Sequence, residues 1–85
     1  MRIDRLLCYL RFVKTRSQAQ GLIDTGHVRC NSARILRTSQ TVQPEDVLTI
    51  PLGKRVLVVQ ILSLPERRGS AAEARSHYQL LDPSP

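Results

Sequence analysis

Apolar residues Ile3, Leu6, Leu7, Leu10 and Val13 recur at helical spacing and share one face. That pattern predicts a helix from about Asp4 to Val13, with Asp4 as its N-cap. Arg5, Cys8 and Phe12 fall on its other side, so Phe12 is expected to pack on a neighbouring element, with base stacking as the weaker alternative. A second helix starts almost at once. Thr15 and Gln18 fit a capping box, each side chain reaching the other's backbone amide. Ala19, Leu22 and Ile23 form its buried face, while Gln20 and Asp24 look outward. Gly21 weakens the helix by up to about 1 kcal/mol relative to alanine, so close packing is its expected reason. Gly26 suits the left-handed stop that ends a helix.

Beyond Gly26 the period shortens to two. His27-Val28-Arg29-Cys30 alternates polar and apolar as a half-buried strand, Asn31-Ser32 marks a turn, and Ile35-Leu36 is a short return strand. Pro44-Glu45-Asp46 is a turn before the strand Val47-Leu48-Thr49-Ile50, and 51–54 is another. Arg55 to Leu62 is the longest β-branched stretch. Four or five short, mostly antiparallel strands follow from this spacing. Pro65 to Gly69 interrupts with the basic run Glu66-Arg67-Arg68, then Ser70 and Glu73 cap a helix expected to reach about Leu81. Its residues Tyr78, Leu80 and Leu81 are expected to pack back on the sheet, and Pro83 and Pro85 to end a frayed tail. The fold class is α+β: residues 1–62 form the main unit, and 63–85 belong to the same compact body.

Eighty-five residues, 41% hydrophobic, are enough for one small domain with an aliphatic core, since Tyr9, Phe12 and Tyr78 are the only aromatics. Charge changes the picture more. Residues 1–37 carry eight Arg or Lys against two Asp, whereas residues 38–85 carry five against five, so the whole net charge of +6 lies in the first half. One-sided positive charge favours a polyanion, and the dominance of forked arginine favours nucleic acid over membrane. No apolar run approaches the roughly 20 residues of a membrane span, and Arg5 and Arg11 interrupt any leader-like stretch. A cytoplasmic protein is expected. Cys8 and Cys30 form neither a CxxC nor a Cys/His cluster, so no metal or other cofactor is expected. Reduced, partly buried thiols are the expectation, though spacing alone leaves a disulfide between them open.

Candidate contacts cluster where the second helix starts. Lys14 and Arg16 bracket its free amides, and Thr15, Ser17 and Gln18 supply polar groups that either cap the helix or meet phosphate. Arg2, Arg5 and Arg11 add charge from the first helix; His27 and Arg29 share one strand face, which Arg34 and Arg37 extend. Asn31 reads first as a turn residue, and Asp4 as a cap or an ion pair that orients an arginine.

Three segments, Arg2-Ile3-Asp4-Arg5-Leu6-Leu7, Lys14-Thr15-Arg16-Ser17-Gln18-Ala19 and Gly26-His27-Val28-Arg29-Cys30-Asn31, together resemble the S4 RNA-binding domain. Val42 with Pro44-Glu45-Asp46-Val47-Leu48-Thr49-Ile50 looks like that family's closing turn and strand. Within the family, Phe12 to Ser17, Glu66-Arg67-Arg68-Gly69 and Ala72-Glu73-Ala74 are most similar to the ribosome-associated heat-shock-15 class. The resemblance implies the α-L fold, two helices on a small sheet, and a basic groove for structured RNA. It further implies ribosomal RNA of the large subunit as the partner, and Arg11 and Arg16 as groove residues. Three departures stand out. Ser32 replaces the usual glycine after the asparagine, Leu7 stands where relatives often carry tryptophan, and the sequence lacks the long basic C-terminal extension of some relatives, which implies a weaker hold or another partner.

Other functions fit less well. Scattered acids and two dissimilar histidines give no nucleophile with its base, so an enzyme is not expected. A general nucleic-acid module, DNA included, is the main alternative, because the first two helices superficially resemble a helix-turn-helix. A non-catalytic ribosome-docking protein is another. Neutralising about five phosphates would give a log K against log salt slope near −3 to −4.5. A monomer is expected.

Overall fold

The structure is a computed structural model that describes residues 1–81. Three short helices, α1 (Ile3–Tyr9), α2 (Arg16–Asp24) and α3 (Ala71–Ser76), accompany five strands. The strands are β1 (Arg29–Cys30), β2 (Ala33–Arg34), β3 (Val47–Leu52), β4 (Arg55–Ile61) and β5 (Tyr78–Leu80). They form one antiparallel sheet in the order β2-β1-β3-β4-β5. The expected α+β arrangement is present, with the sheet at the upper end of the expected strand number.

The core is the aliphatic one that the sparse aromatics require. Ile3, Leu6, Leu7 and Leu10 of the first helical stripe meet Ala19 and Ile23 of α2 and the inward residues Val28, Leu48, Ile50, Val59 and Ile61. Alternation along β3 and β4 puts Leu48, Ile50, Val59 and Ile61 inside, each fully buried. Leu7 is itself in this core, so the missing tryptophan leaves no gap on the surface.

Several elements differ from the sequence pattern, each for a local reason. α1 ends at Tyr9, not Val13, because Arg11 turns left-handed (φ 66°). The Arg11 amide donates to Cys8 O and the Phe12 amide to Leu7 O, a Schellman turn with arginine in glycine's usual place. Asp4 is not the N-cap; Arg2 is, and Asp4 lies inside the first turn. Gln18 returns to the Lys14 amide (2.8 Å) and not to that of Thr15, so the capping box is displaced by one residue. Gly21 has open space around its Cβ position, which removes close packing as its reason.

The return strand is Ala33–Arg34 and not Ile35-Leu36, although the Ile35 amide still bonds to Val28 O. Asn31 and Ser32, at φ 51° and 72°, form the two-residue hairpin turn between Cys30 and Ala33. Pro51 lies within β3, opposite Val56, so that turn narrows to Gly53 and Lys54. The last helix stops at Ser76, and Tyr78–Leu80 becomes the fifth strand, paired with Val59–Ile61. The frayed tail at Pro83 and Pro85 lies outside the described residues.

Candidate nucleic-acid interface

The two long-stripe helices present unlike N-termini. At α1 the Ile3 amide donates to Gln40 O, the Asp4 amide to Thr38 O, and the Arg5 amide to Asp4 Oδ1 (2.7 Å). Those donors are spent within the chain. At α2 only the Gln18 amide is taken by the N-cap, Thr15 Oγ1, at 3.1 Å. The Arg16 and Ser17 amides have no protein acceptor among the described residues and are open to solvent or an anion.

Asp4 joins the helix starts. Its carboxylate accepts from Arg2 Nε and Nη2 (3.2 and 3.1 Å) and from Arg16 Nη2 (3.1 Å). The Asp4 side chain is 5% exposed, whereas those of Arg2 and Arg16 are 45% and 58% exposed. Each guanidinium is therefore anchored at one end and open to solvent at the other. Burial alone would raise the Asp4 pKa, but hydrogen bonds from Arg16, Arg2 and the Arg5 amide outweigh it and hold the carboxyl below its ordinary range. Asp4 is thus an ion-pair hub, the second of its two sequence readings.

The neutral half of the chain contributes to the same place. Arg68 Nη1 donates to Lys14 O (3.0 Å) and Arg11 Nη1 donates to Gly69 O (3.0 Å), which fastens the 67–69 segment to the loop before α2. Burial raises the Cys8 pKa above its ordinary value, while Arg68, Asp4 and Arg16 are close enough for their charges to act on the thiol. Arg2, Lys14, Arg16 and Arg68 accordingly converge around the α1–α2 junction. Arg68 was invisible to a charge count by halves; the signal that marks it is the basic Glu66-Arg67-Arg68 run. Arg67 pairs at 3.7 Å with Glu73.

The hairpin carries a second group. Arg29 and Arg34 are cross-strand partners, and Arg29 Nη1 donates to Ser32 O (3.3 Å). His27 is exposed two residues before Arg29 but lies outside β1, which is shorter than the expected strand, so alternation does not fix its side. Arg37 lies next to Thr38, whose carbonyl caps α1, and Arg5 follows Asp4, so both sit near the hub. Three other candidates spend their side chains on backbone: Thr15 and Gln18 at the α2 cap, and Asn31 at the hairpin. Asn31 Nδ2 also donates to Asp46 Oδ1 at 3.0 Å, and the Val47 amide donates to Asn31 Oδ1 at 2.9 Å. Ser17 is exposed at the α2 start.

Catalytic groupings are weaker. Ser63 Oγ lies 2.8 Å from His77 Nδ1, with no carboxylate bonded to that imidazole among the described residues, and the pair pins the end of β4 to the end of α3. The described residues hold no group of three potential metal ligands. Both cysteines are free and buried.

A family model for the S4 domain matches residues 1–48, from α1 through the start of β3. The chain belongs to the S4 domain family. It is 34% identical over 79 residues to the heat shock protein 15 homolog of Haemophilus influenzae, covering 93% of this chain but 60% of that protein. It is 31% identical over 81 residues to the RQC P-site tRNA stabilizing factor of Bacillus subtilis, covering 95% of this chain and 92% of that protein. The solved trimeric structure of Vibrio cholerae heat shock protein 15 superposes with a TM-score of 0.89 at 30% identity, over 95% of this chain and 81% of that one. No helix among the described residues is long and apolar enough to cross a membrane.

Proposed function

We propose that this protein binds structured RNA as a non-catalytic, ribosome-associated S4 domain, with ribosomal RNA of the large subunit as its target. The observation that carries this reading is the α1–α2 junction, where Arg2, Arg16, Lys14 and Arg68 surround the unpaired amides that open α2. Phosphate oxygens suit both kinds of donor. Arg2, Arg11, Lys14, Arg16, Ser17 and Arg68 meet the backbone there, while Arg29, Arg34, His27, Arg37 and Arg5 extend the footprint. Thr15, Gln18 and Asn31 shape the surface. Side chains cannot enter the deep major groove of A-form RNA, so shape at a junction or loop is what this surface reads.

Residues 1–62 supply most of this surface, and 63–85 complete it through Arg68. The relatives support a ribosomal setting: one is named for stabilising a P-site tRNA, a structured RNA. The chain acts in the cytoplasm, where ribosomes are; it works as a monomer on RNA, although a relative crystallises as a trimer. The test is sedimentation of cell extract through a gradient at low salt, followed by detection of the protein across subunit fractions. Co-migration with the large subunit is expected; absence from every ribosomal fraction refutes the ribosomal assignment.

A further inference from the structure

Beside the RNA surface, the Schellman turn at Arg11 and Phe12 faces α3 across a cavity of about 230 Å3. Its walls include the methyls of Ala71 and Ala74, the rings of Phe12 and Tyr78, and the side chains of Arg11 and Arg75. The two rings lie 5.0 Å apart at 53°, and α3 leaves the slot open because beside Arg75 it offers only the small residues Ala71 and Ala74. We infer that this slot takes the base of one unstacked RNA nucleotide, with the neighbouring phosphate held by Arg11 and Arg75. This rests on the RNA-binding reading above and adds a subsite to it.

Size, polarity and place agree. Drug-sized sites run from roughly 300 to 1,000 Å3, so this one admits a single ring system. Aromatic rings and methyls favour a flat, weakly hydrated group, and two guanidiniums call for an anion attached to it. A nucleotide combines both; a hydrocarbon tail leaves the cations unused. The slot also adjoins the cationic surface, since Arg11 bonds to Gly69 O and the preceding Arg68 holds the loop at Lys14. Arginine at Arg11 occupies a left-handed position that glycine fills more easily, so its side chain is retained at a conformational cost.

The test compares a hairpin RNA carrying one bulged uridine with its fully paired counterpart. Wild type is expected to bind the bulged RNA about 5- to 150-fold more tightly, the range of one base–aromatic stack. Ala71→Leu fills the slot from an exposed helix position, and leucine keeps α3 helical. It is expected to erase the preference while leaving paired-RNA affinity and salt slope unchanged; a thermal melt checks its folding. Arg75→Gln, on the exposed side of α3, is expected to narrow the preference and flatten the salt slope for the bulged RNA alone. Equal wild-type affinity for both RNAs, or a preference that survives in both variants, overturns the subsite while RNA binding stands. Failure to bind either RNA overturns RNA binding itself and the subsite with it.

Discussion

Asp4→Asn separates the number of charges from their placement. In the native chain the carboxylate accepts four bonds, three from Arg2 and Arg16 and one from the Arg5 amide. Asparagine keeps the oxygen that accepts from the Arg5 amide and Arg2 Nε, but its NH2 replaces the acceptor of Arg2 Nη2 and Arg16 Nη2. A hydrogen bond to a charged group contributes about 1.5–3 kcal/mol, and an exposed ion pair about 0–1. Because Arg2 and Arg16 are 45% and 58% exposed, they recover water when released, which places the loss between these limits, near 2 kcal/mol. For a domain of this size that lowers Tm by roughly 8–16 °C.

The lowered Asp4 pKa fixes the pH dependence of that loss. Its contribution is fully present above the unfolded carboxyl value, about 3.9, and disappears as pH falls through the lower folded value. The gap between wild type and Asp4→Asn therefore closes in acid. Asp46 keeps its share of acid sensitivity in both proteins. Burial raises its pKa, but the Gln43 amide, Asn31 and Cys30 outweigh that and leave it lowered.

RNA affinity is the decisive assay. The substitution raises the net charge from +6 by one, so a count of charges predicts tighter binding and a salt slope steeper by about 0.7–0.9. Loss of placement predicts the reverse. Ordering the released Arg16 and the half-released Arg2 on RNA costs about 0.5–1.5 kcal/mol each, against roughly 1 kcal/mol gained by removing a nearby negative charge. The net expectation is binding about fivefold weaker at moderate salt. Tighter binding by Asp4→Asn, measured by titration with folded protein, would refute the role of Asp4 as an organiser.

Arg16→Ala and Lys14→Ala should each weaken RNA binding and reduce the salt slope by about 0.7–0.9; unchanged slopes in both would move the site elsewhere. Arg68→Ala should behave likewise although it lies in the charge-neutral half, and a wild-type slope would remove it from the interface. Ser32→Gly relieves a left-handed residue in the hairpin turn and should raise stability by about 0.5–1 kcal/mol in denaturant melts; a loss would contradict that turn assignment. Burial, the Asp46 charge and the Asp46 hydrogen bond push the Cys30 pKa up to about 11, so alkylation of native protein at pH 8 should be far slower than that of unfolded chain. Equal rates would mean that the thiol is not held as the structure shows.

Much of this architecture is legible because local signals agree. Thr15 opens α2, Gly26 closes it at φ 80°, and alternation assigns β3 and β4 their inner faces. The α1 stop was illegible because Arg11 adopts the left-handed position that sequence patterns assign to glycine. β5 was hidden by the helix-forming run before it, with no proline or glycine between Ala71 and Leu81; pairing to β4 decided its state. At the site, Lys14 and Arg16 stand out by their place at a helix start. The hub does not, because Asp4 and Arg16 are twelve residues apart and only the packing of α1 on α2 joins them. Arg68 depends on a contact across 54 residues with Lys14, which no charge count contains.

The most direct measurement is an NMR titration of the labelled chain with a structured hairpin from large-subunit ribosomal RNA, following backbone amides and arginine Nε groups. Binding through the α1–α2 junction should shift the Arg16 and Ser17 amides and the Arg2, Arg16 and Arg68 side chains first, with these shifts reversing as salt is raised. Saturable shifts confined to β4 and β5, with the junction unmoved, would contradict it.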